Sequence, residues 1–179
     1  MSGAVQEETR LSARRAYCET IAHFATGVTV VTTATAYGRA GMTASAVASL
    51  SLDPLLLIVC LGSDLPAFRA IAERGRFAVN VLGEGQAAVA LQFARPANDK
   101  FAGVATDESR GVPVLRDAIA HIVCDVHDVL PGGDHSIVVG AVDACASRRS
   151  ARPLVYFKSC FGALRLPDDV TNWAAREAV

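Results

Sequence analysis

The sequence predicts one mainly β domain, a small antiparallel barrel with short helices in its connections. Three observations lead there. Runs of β-branched and apolar residues recur at 28–35, 42–50, 55–61, 76–82, 120–129, 136–142 and 154–161. Several of them are joined by glycine-bearing reversals as hairpins, with helical patterns confined to the connections, which favours antiparallel pairing over a parallel sheet. At 179 residues, with no internal repeat and no linker, the chain suits a single domain that buries a good core.

Taken in order, residues 1–10 are polar and read as a flexible tail. Residues 11–25 read as a helix, with Ser12 placed to cap it and Tyr17, Ile21 and Phe24 on one face. His23 falls in its last turn, where a cation suits the helix dipole, and Gly27 turns the chain into the first strand. The strands at 28–35 and 42–50 are separated by Ala36-Tyr37-Gly38-Arg39-Ala40-Gly41, whose glycines permit a tight reversal. A third strand follows at 55–61. Ser63 or Asp64 then caps a helix with Pro66 in its first turn, ended by Gly75. The fourth strand, 76–82, alternates Phe77, Val79 and Val81 on one face, and 84–94 is a second short helix stopped by Pro96. A polar stretch leads to Pro113. The β run at 120–129, the turn Pro131-Gly132-Gly133-Asp134-His135, the strand 136–142 and a last strand at 154–161 complete a domain spanning 11–166. Residues 167–179, containing Trp173, form a C-terminal tail that includes a short helix.

Composition narrows the function. The chain is 51% hydrophobic with a mean hydropathy of +0.31, more apolar than a small domain needs, so a second copy is expected to cover part of its surface. The net charge of −1 arises from interspersed acids and bases without a basic stripe, which argues against a nucleic-acid partner. No apolar run approaches the ~20 residues of a membrane helix, and the polar first fifteen residues carry no secretory signal, so a cytoplasmic location is expected. Cys18, Cys60, Cys124, Cys145 and Cys160 are odd in number and form no CxxC pair, and they read as reduced thiols in or near the core.

The chemistry-bearing motifs are mostly notable by omission. Gly83-Glu84-Gly85 lacks the third glycine and the downstream acid of a dinucleotide fingerprint, and neither GxSxG nor GxxxxGK[ST] occurs. His121, Cys124 and His127 are ligand types, but on one strand the two histidines face away from the cysteine, and no metal is expected. The run at 42–50 is unusual for a core strand because Thr43, Ala44, Ser45, Ala46, Ser49 and Ser51 are small or hydroxylic. Small side chains let a flat ligand approach the backbone, and hydroxyls and amides hold an anion; close packing under a helix accounts for them equally well.

The pieces FATGVTVVTT, GMTASAVASLSLDP, LLLIVCLG, GRFAVNVL, the FA…DKF pair and GGDH follow one another as in the flavin reductase-like family, and the resemblance runs from His23 to Leu164. That family comprises the reductase components of two-component flavin-dependent monooxygenases. The resemblance implies a Greek-key split β-barrel that binds flavin near a homodimer interface. It implies NAD(P)H-dependent reduction of free FAD or FMN, NADH being favoured and NADPH possible, with reduced flavin passed to a monooxygenase component. Carried over by residue, Thr43, Ala44, Ser45 and Ala46 lie along the flavin ring and ribityl chain. Ser49, Leu50, Ser51, Cys60 and Leu61 supply neighbouring backbone contacts, and Lys100 and Phe101 sit by the flavin phosphate. Gly133, Asp134 and His135 form the nicotinamide-binding turn, with His135 as the catalytic residue. On residues alone, Lys100 also reads as an exposed loop lysine, and Asp134 as the brace of a turn beside a packed His135. Rival readings within reach are a split-barrel oxidase with tightly bound flavin and a non-catalytic flavin or haem carrier.

Overall fold

The structure, a computed structural model, describes residues 2–149 and 151–165; the expected helix around Trp173 lies outside them. It is mainly β and antiparallel, as the sequence predicts. Twelve strands and three helices follow in the order α1 (Ser2–Ile21), β1 (Thr26–Gly27), β2 (Thr29–Thr35), β3 (Gly38–Ala44), β4 (Val47–Leu52), β5 (Leu55–Gly62), α2 (Pro66–Arg74), β6 (Arg76–Val81), α3 (Ala87–Ala94), β7 (Thr106–Ser109), β8 (Val112–Leu115), β9 (Ala120–Gly132), β10 (His135–Ser147), β11 (Leu154–Phe157) and β12 (Cys160–Ala163).

Seven strands form one sheet in the order β3-β2-β6-β9-β10-β5-β4. The run expected as one strand at 42–50 is two: β3 ends at Ala44 beside β2, and β4 starts at Val47 beside β5, on the opposite edge of the same sheet. Three Cα–Cα steps reach at most about 11 Å, so the two edges must lie close together and the sheet must roll. The interior agrees. Val31, Ala44, Val59, Phe77, Cys124 and Val138, from six different strands of this sheet, meet in one buried cluster with Ile71 of α2. The edge strands β3 and β4 do not pair with each other, which leaves the barrel split.

The outer face is covered in two patches. Val30, Phe93 and Phe101 pack together with Leu82 and Leu154 under α3, and Ala78 and Val123 pack under β8. Buried Asn80 holds β8 in place: its amide donates to the Val30 carbonyl and the Thr32 hydroxyl, and its Oδ1 accepts from Leu115 N–H at 2.8 Å. These bonds satisfy a polar group that would otherwise cost about 1–3 kcal/mol.

Several expectations are corrected. The first helix starts at Ser2, not near Ser12, because residues 4–16 are rich in Ala, Glu, Gln and Arg, good helix formers even without an apolar face. His23 lies past its end, and its ring Nδ1 bonds the Glu19 carbonyl at 2.9 Å. Helix α2 is preceded by Leu65 with no side-chain cap, although Gly75 ends it in the left-handed conformation at φ 71° as anticipated. The polar stretch before Pro113 holds the β7–β8 hairpin, turned by Arg110 and Gly111 at positive φ. The last strand is also a hairpin, β11–β12, reversed at Lys158 and Ser159 with φ 47° and 62°. Only Cys124 of the five free cysteines is buried, and Cys18, Cys145 and Cys160 are exposed. Burial pushes the Cys124 thiol up to about 12, helped by Asp125 and Asp143, so it is an inert core residue.

Candidate functional site: two cavities joined by the β3–β4 crossing

Two cavities flank the point where the chain crosses the split. The first, of about 480 Å³, is lined by β3 from Arg39 to Thr43, the first turn of α2, Phe93 at the end of α3, and the loop carrying Asp99, Lys100 and Phe101. The loop is tightly held. Asp99 Oδ1 accepts from Phe101 N–H at 2.8 Å, and Gln92 donates to the carbonyls of Lys100 and Ala102. Lys100 Nζ donates to the Phe93 carbonyl at 2.9 Å. Partial burial lowers the pKa of this ammonium below the usual lysine value.

Thr43 is pinned from the other side: its hydroxyl donates to the Ala90 carbonyl at 2.6 Å, leaving only lone pairs toward the cavity. Gly41 explains the close fit of β3 under α3, since a Cβ there would lie 2.8 Å from Phe93 Cε1. The small residues at this end of β3 therefore serve both packing and access.

The second cavity, of about 740 Å³, takes Ser45, Ala46, Val47 and Ala48 from the crossing and the start of β4, Ile58 and Cys60 from β5, and residues around Phe24 and Tyr156. Its lining carries no charged side chain. Cys60 N–H donates to the Ala46 carbonyl at 2.9 Å, tying β5 to the crossing. Thr26 Oγ1 is buried in this wall without a hydrogen-bond partner.

The β9–β10 hairpin turns on Gly133 (φ 77°) and Asp134, the two-residue type II′ pattern with glycine first. Its tip is exposed. His135 Nδ1 and Asp134 Oδ1 are 2.7 Å apart, and that bond holds the Asp134 carboxyl below the usual range. The tip is anchored to the end of β5: Ser63 N–H donates to the Asp134 carbonyl, and His135 is paired with Gly62. Cys60, just before this turn, lines one cavity, and Leu65, just after it, lines the other.

The sequence-expected residues thus separate by environment. Thr43, Lys100 and Phe101 border the first cavity, and Ser45, Ala46 and Cys60 the second. Ala44 and Leu61 are sealed in the barrel interior, and Phe101, 4% exposed, packs edge-on against Phe93. Ser49, Leu50 and Ser51 lie on β4 outside both linings; Ser51 Oγ accepts from Asp53 N–H. Sequence reading did not single out Arg39, Thr26 or Tyr156 as site residues. A lone arginine in a glycine turn reads as solvated, and the other two gain their meaning only from tertiary neighbours. Strand β9 bulges at His127, and among the described residues no three His, Cys, Asp or Glu side chains gather as a metal site.

The family described as "Flavin reductase like domain" matches residues 21–165. The chain belongs to this family. It is 42% identical over 142 residues to the reductase component of a 4-nitrophenol 4-monooxygenase/4-nitrocatechol 2-monooxygenase from Rhodococcus opacus, covering 79% of this chain and 76% of that one. It is 44% identical over 132 residues to a probable flavin reductase of Rhizobium meliloti, covering 73% of this chain and only 42% of that longer protein. Among solved structures, an NADH:FAD oxidoreductase of Streptomyces globisporus, in complex with NAD and FAD fragments, superposes with a TM-score of 0.81 at 32% identity, over 88% of this chain and 94% of that one. Among the described residues, no helix is long and apolar enough to cross a membrane.

Proposed function

We propose that this flavin reductase-like protein is an NAD(P)H-dependent flavin reductase of the cytoplasm, which reduces free FAD or FMN and supplies reduced flavin to a partner monooxygenase. NADH is the favoured donor. The observation that carries the reading is the shared geometry of two segments. Residues 43–46 and 60–65 each run from one cavity to the other, and the His135 tip is bonded to the second between its two ends. The names of two relatives, a monooxygenase reductase component and an NADH:FAD oxidoreductase, support the two halves of this activity.

The residues present fit a flavin. The uncharged cavity beside Ser45, Ala46 and Cys60 suits an aromatic ring, and the Lys100 cavity suits a phosphate. A bound flavin takes up hydride from reduced nicotinamide, so the protein has little acid–base work to do. Its residues bind and orient. Lys100 offers a point charge to the phosphate, while Phe101, Ala44 and Leu61 act from behind, keeping the walls in place. Asp134 accepts from His135 Nδ1–H and so leaves Nε2 for the nicotinamide. The neutral ring accepts from a carboxamide N–H, and the protonated ring donates to an oxygen.

A homodimer belongs to the same reading. Strand β4 has no buried residue, and Leu50, Leu52 and Leu55 are 50%, 78% and 54% exposed. A second copy covering this face brings Ser49, Leu50 and Ser51 into the site.

The test is NADH oxidation with FMN or FAD added in turn. Wild type should turn over with flavin, and His135→Ala should be slowed roughly tenfold or more through loss of one polar contact to the nicotinamide. Flavin binding without NADH turnover would instead make the protein a carrier, and NADH-independent turnover would make it an oxidase.

A further inference from the structure

We propose that Arg39 reads the adenylate half of a dinucleotide flavin, so that the chain takes FAD in preference to FMN. The proposal rests on the flavin-reductase reading above and concerns the Arg39 wall of the Lys100 cavity.

Among the arginines of the described residues, Arg39 alone lines the Lys100 cavity. Arg76, Arg116 and Arg152 are each bonded to a carboxylate, of Asp125, Asp107 and Glu84 respectively. Arg39 has no carboxylate partner among the described residues. Its guanidinium instead lies 4.5 Å from the centroid of the Phe101 ring, and Nη1 donates to the Thr106 hydroxyl at 2.7 Å. Ring and hydroxyl hold the cation in place without a carboxylate to neutralise it, at the exposed border of a cavity of about 480 Å³.

FMN ends in a single phosphate, for which half-buried Lys100 suffices. A second cation on the same cavity, held over the ring of Phe101, exceeds what a single phosphate needs. FAD continues from that phosphate into a second phosphate, a ribose and adenine. A guanidinium matches both remaining elements: its forked N–H donors suit a phosphate, and its flat face suits stacking against a base. Phe101 already holds the cation over its ring, and the adenine stacks on the guanidinium from the cavity side.

The experiment is calorimetric titration of FAD, FMN and riboflavin into wild type, Arg39→Ala and Arg39→Lys. Wild type should bind FAD more tightly than FMN. Arg39→Ala should weaken FAD by about 10- to 100-fold, the range for loss of a charged hydrogen bond, with FMN and riboflavin unchanged. Arg39→Lys should fall between, since it keeps the charge and loses the plane. FMN and riboflavin affinities, with a melting curve for each variant, separate binding from any loss of the Phe101 and Thr106 contacts. Equal losses for FAD and FMN would overturn the proposal by making Arg39 a reader of the shared phosphate, and so would no loss for either. A rise in KM confined to NADPH would overturn it in favour of a nicotinamide 2′-phosphate contact. Wild type that binds no flavin at all would overturn this proposal together with the function it rests on.

Discussion

The two cavities on either side of the split are built in opposite ways. The one beside Lys100 is finished within a single chain. Three polar side chains that shape it are bonded within the chain: Asp99 to Phe101 N–H, Lys100 to the Phe93 carbonyl, Thr43 to the Ala90 carbonyl. The one beside Cys60 has no charge, keeps a buried hydroxyl at Thr26 without a partner, and is walled in part by Ile21, Phe24 and Tyr156, which are 51%, 72% and 36% exposed. Anion recognition needs fixed donors, which local loops supply cheaply. An apolar ring site needs cover on both faces, and one rolled sheet provides only one. Under the proposed function, the difference assigns the phosphate end of the site to the protomer and the ring end to a second copy.

The largest effect should come from breaking that asymmetry at the dimer. Leu52→Glu places a carboxylate on the most exposed leucine of β4. An unpaired charge in an apolar interface costs several kcal/mol, so self-association should weaken by two or more orders of magnitude. Light scattering should report a monomer, with flavin-dependent NADH turnover lost and the fold retained by circular dichroism. A monomer with full turnover would place the whole ring site inside one chain.

Lys100→Met probes the other side and should have the next largest effect. Loss of the ammonium should weaken FMN and FAD by about tenfold or more and leave riboflavin unaffected, because riboflavin has no phosphate. Its pH dependence has a defined sign. Burial lowers the Lys100 pKa, so the charge is lost as pH rises through a value below that of an ordinary lysine. Affinity for phosphorylated flavins should therefore decline in alkali earlier than 10.5, the ordinary lysine value, while affinity for riboflavin and for the Met variant stays flat over the same window.

How much of this was legible in the sequence follows from where each signal resides. The barrel strands, the Gly75 stop and the Gly133-Asp134 turn are local events, written in β-branched runs and in glycines that the backbone requires at φ 71° and 77°. The break between Ala44 and Val47 was not legible, because no Gly or Pro marks it: Ser45 and Ala46 leave one edge and join the other for reasons set by the closure of the whole sheet. The β7–β8 and β11–β12 reversals were missed because Arg110, Lys158 and Ser159 adopt positive φ that their types rarely take. Within the site, the small residues and hydroxyls were visible but equally consistent with packing. The family resemblance, rather than periodicity, linked them to Lys100 and His135. Arg39 and Thr26 carry no local signal, since a guanidinium held by Phe101 and Thr106 and a hydroxyl without a partner are defined only by neighbours far along the chain.

Thr26 supplies the finest test of the contrast between the cavities. A buried hydroxyl with no partner costs about 1–3 kcal/mol, and among the described residues Thr26 Oγ1 is the one side-chain polar atom in that condition. Valine matches its shape and removes the cost, so Thr26→Val should leave the ligand-free protein as stable as wild type or more so, read as an equal or higher melting temperature. If the hydroxyl is held in reserve for the flavin, the same change should weaken flavin binding several-fold, the scale of one neutral hydrogen bond of about 0.5–1.5 kcal/mol. Stability and affinity would then move in opposite directions at one residue, which simple packing damage cannot produce. The effect should be equal for riboflavin, FMN and FAD, because Thr26 borders the uncharged cavity and not the one beside Lys100. A loss that tracked the phosphate instead would show that the two cavities exchange roles along the ligand.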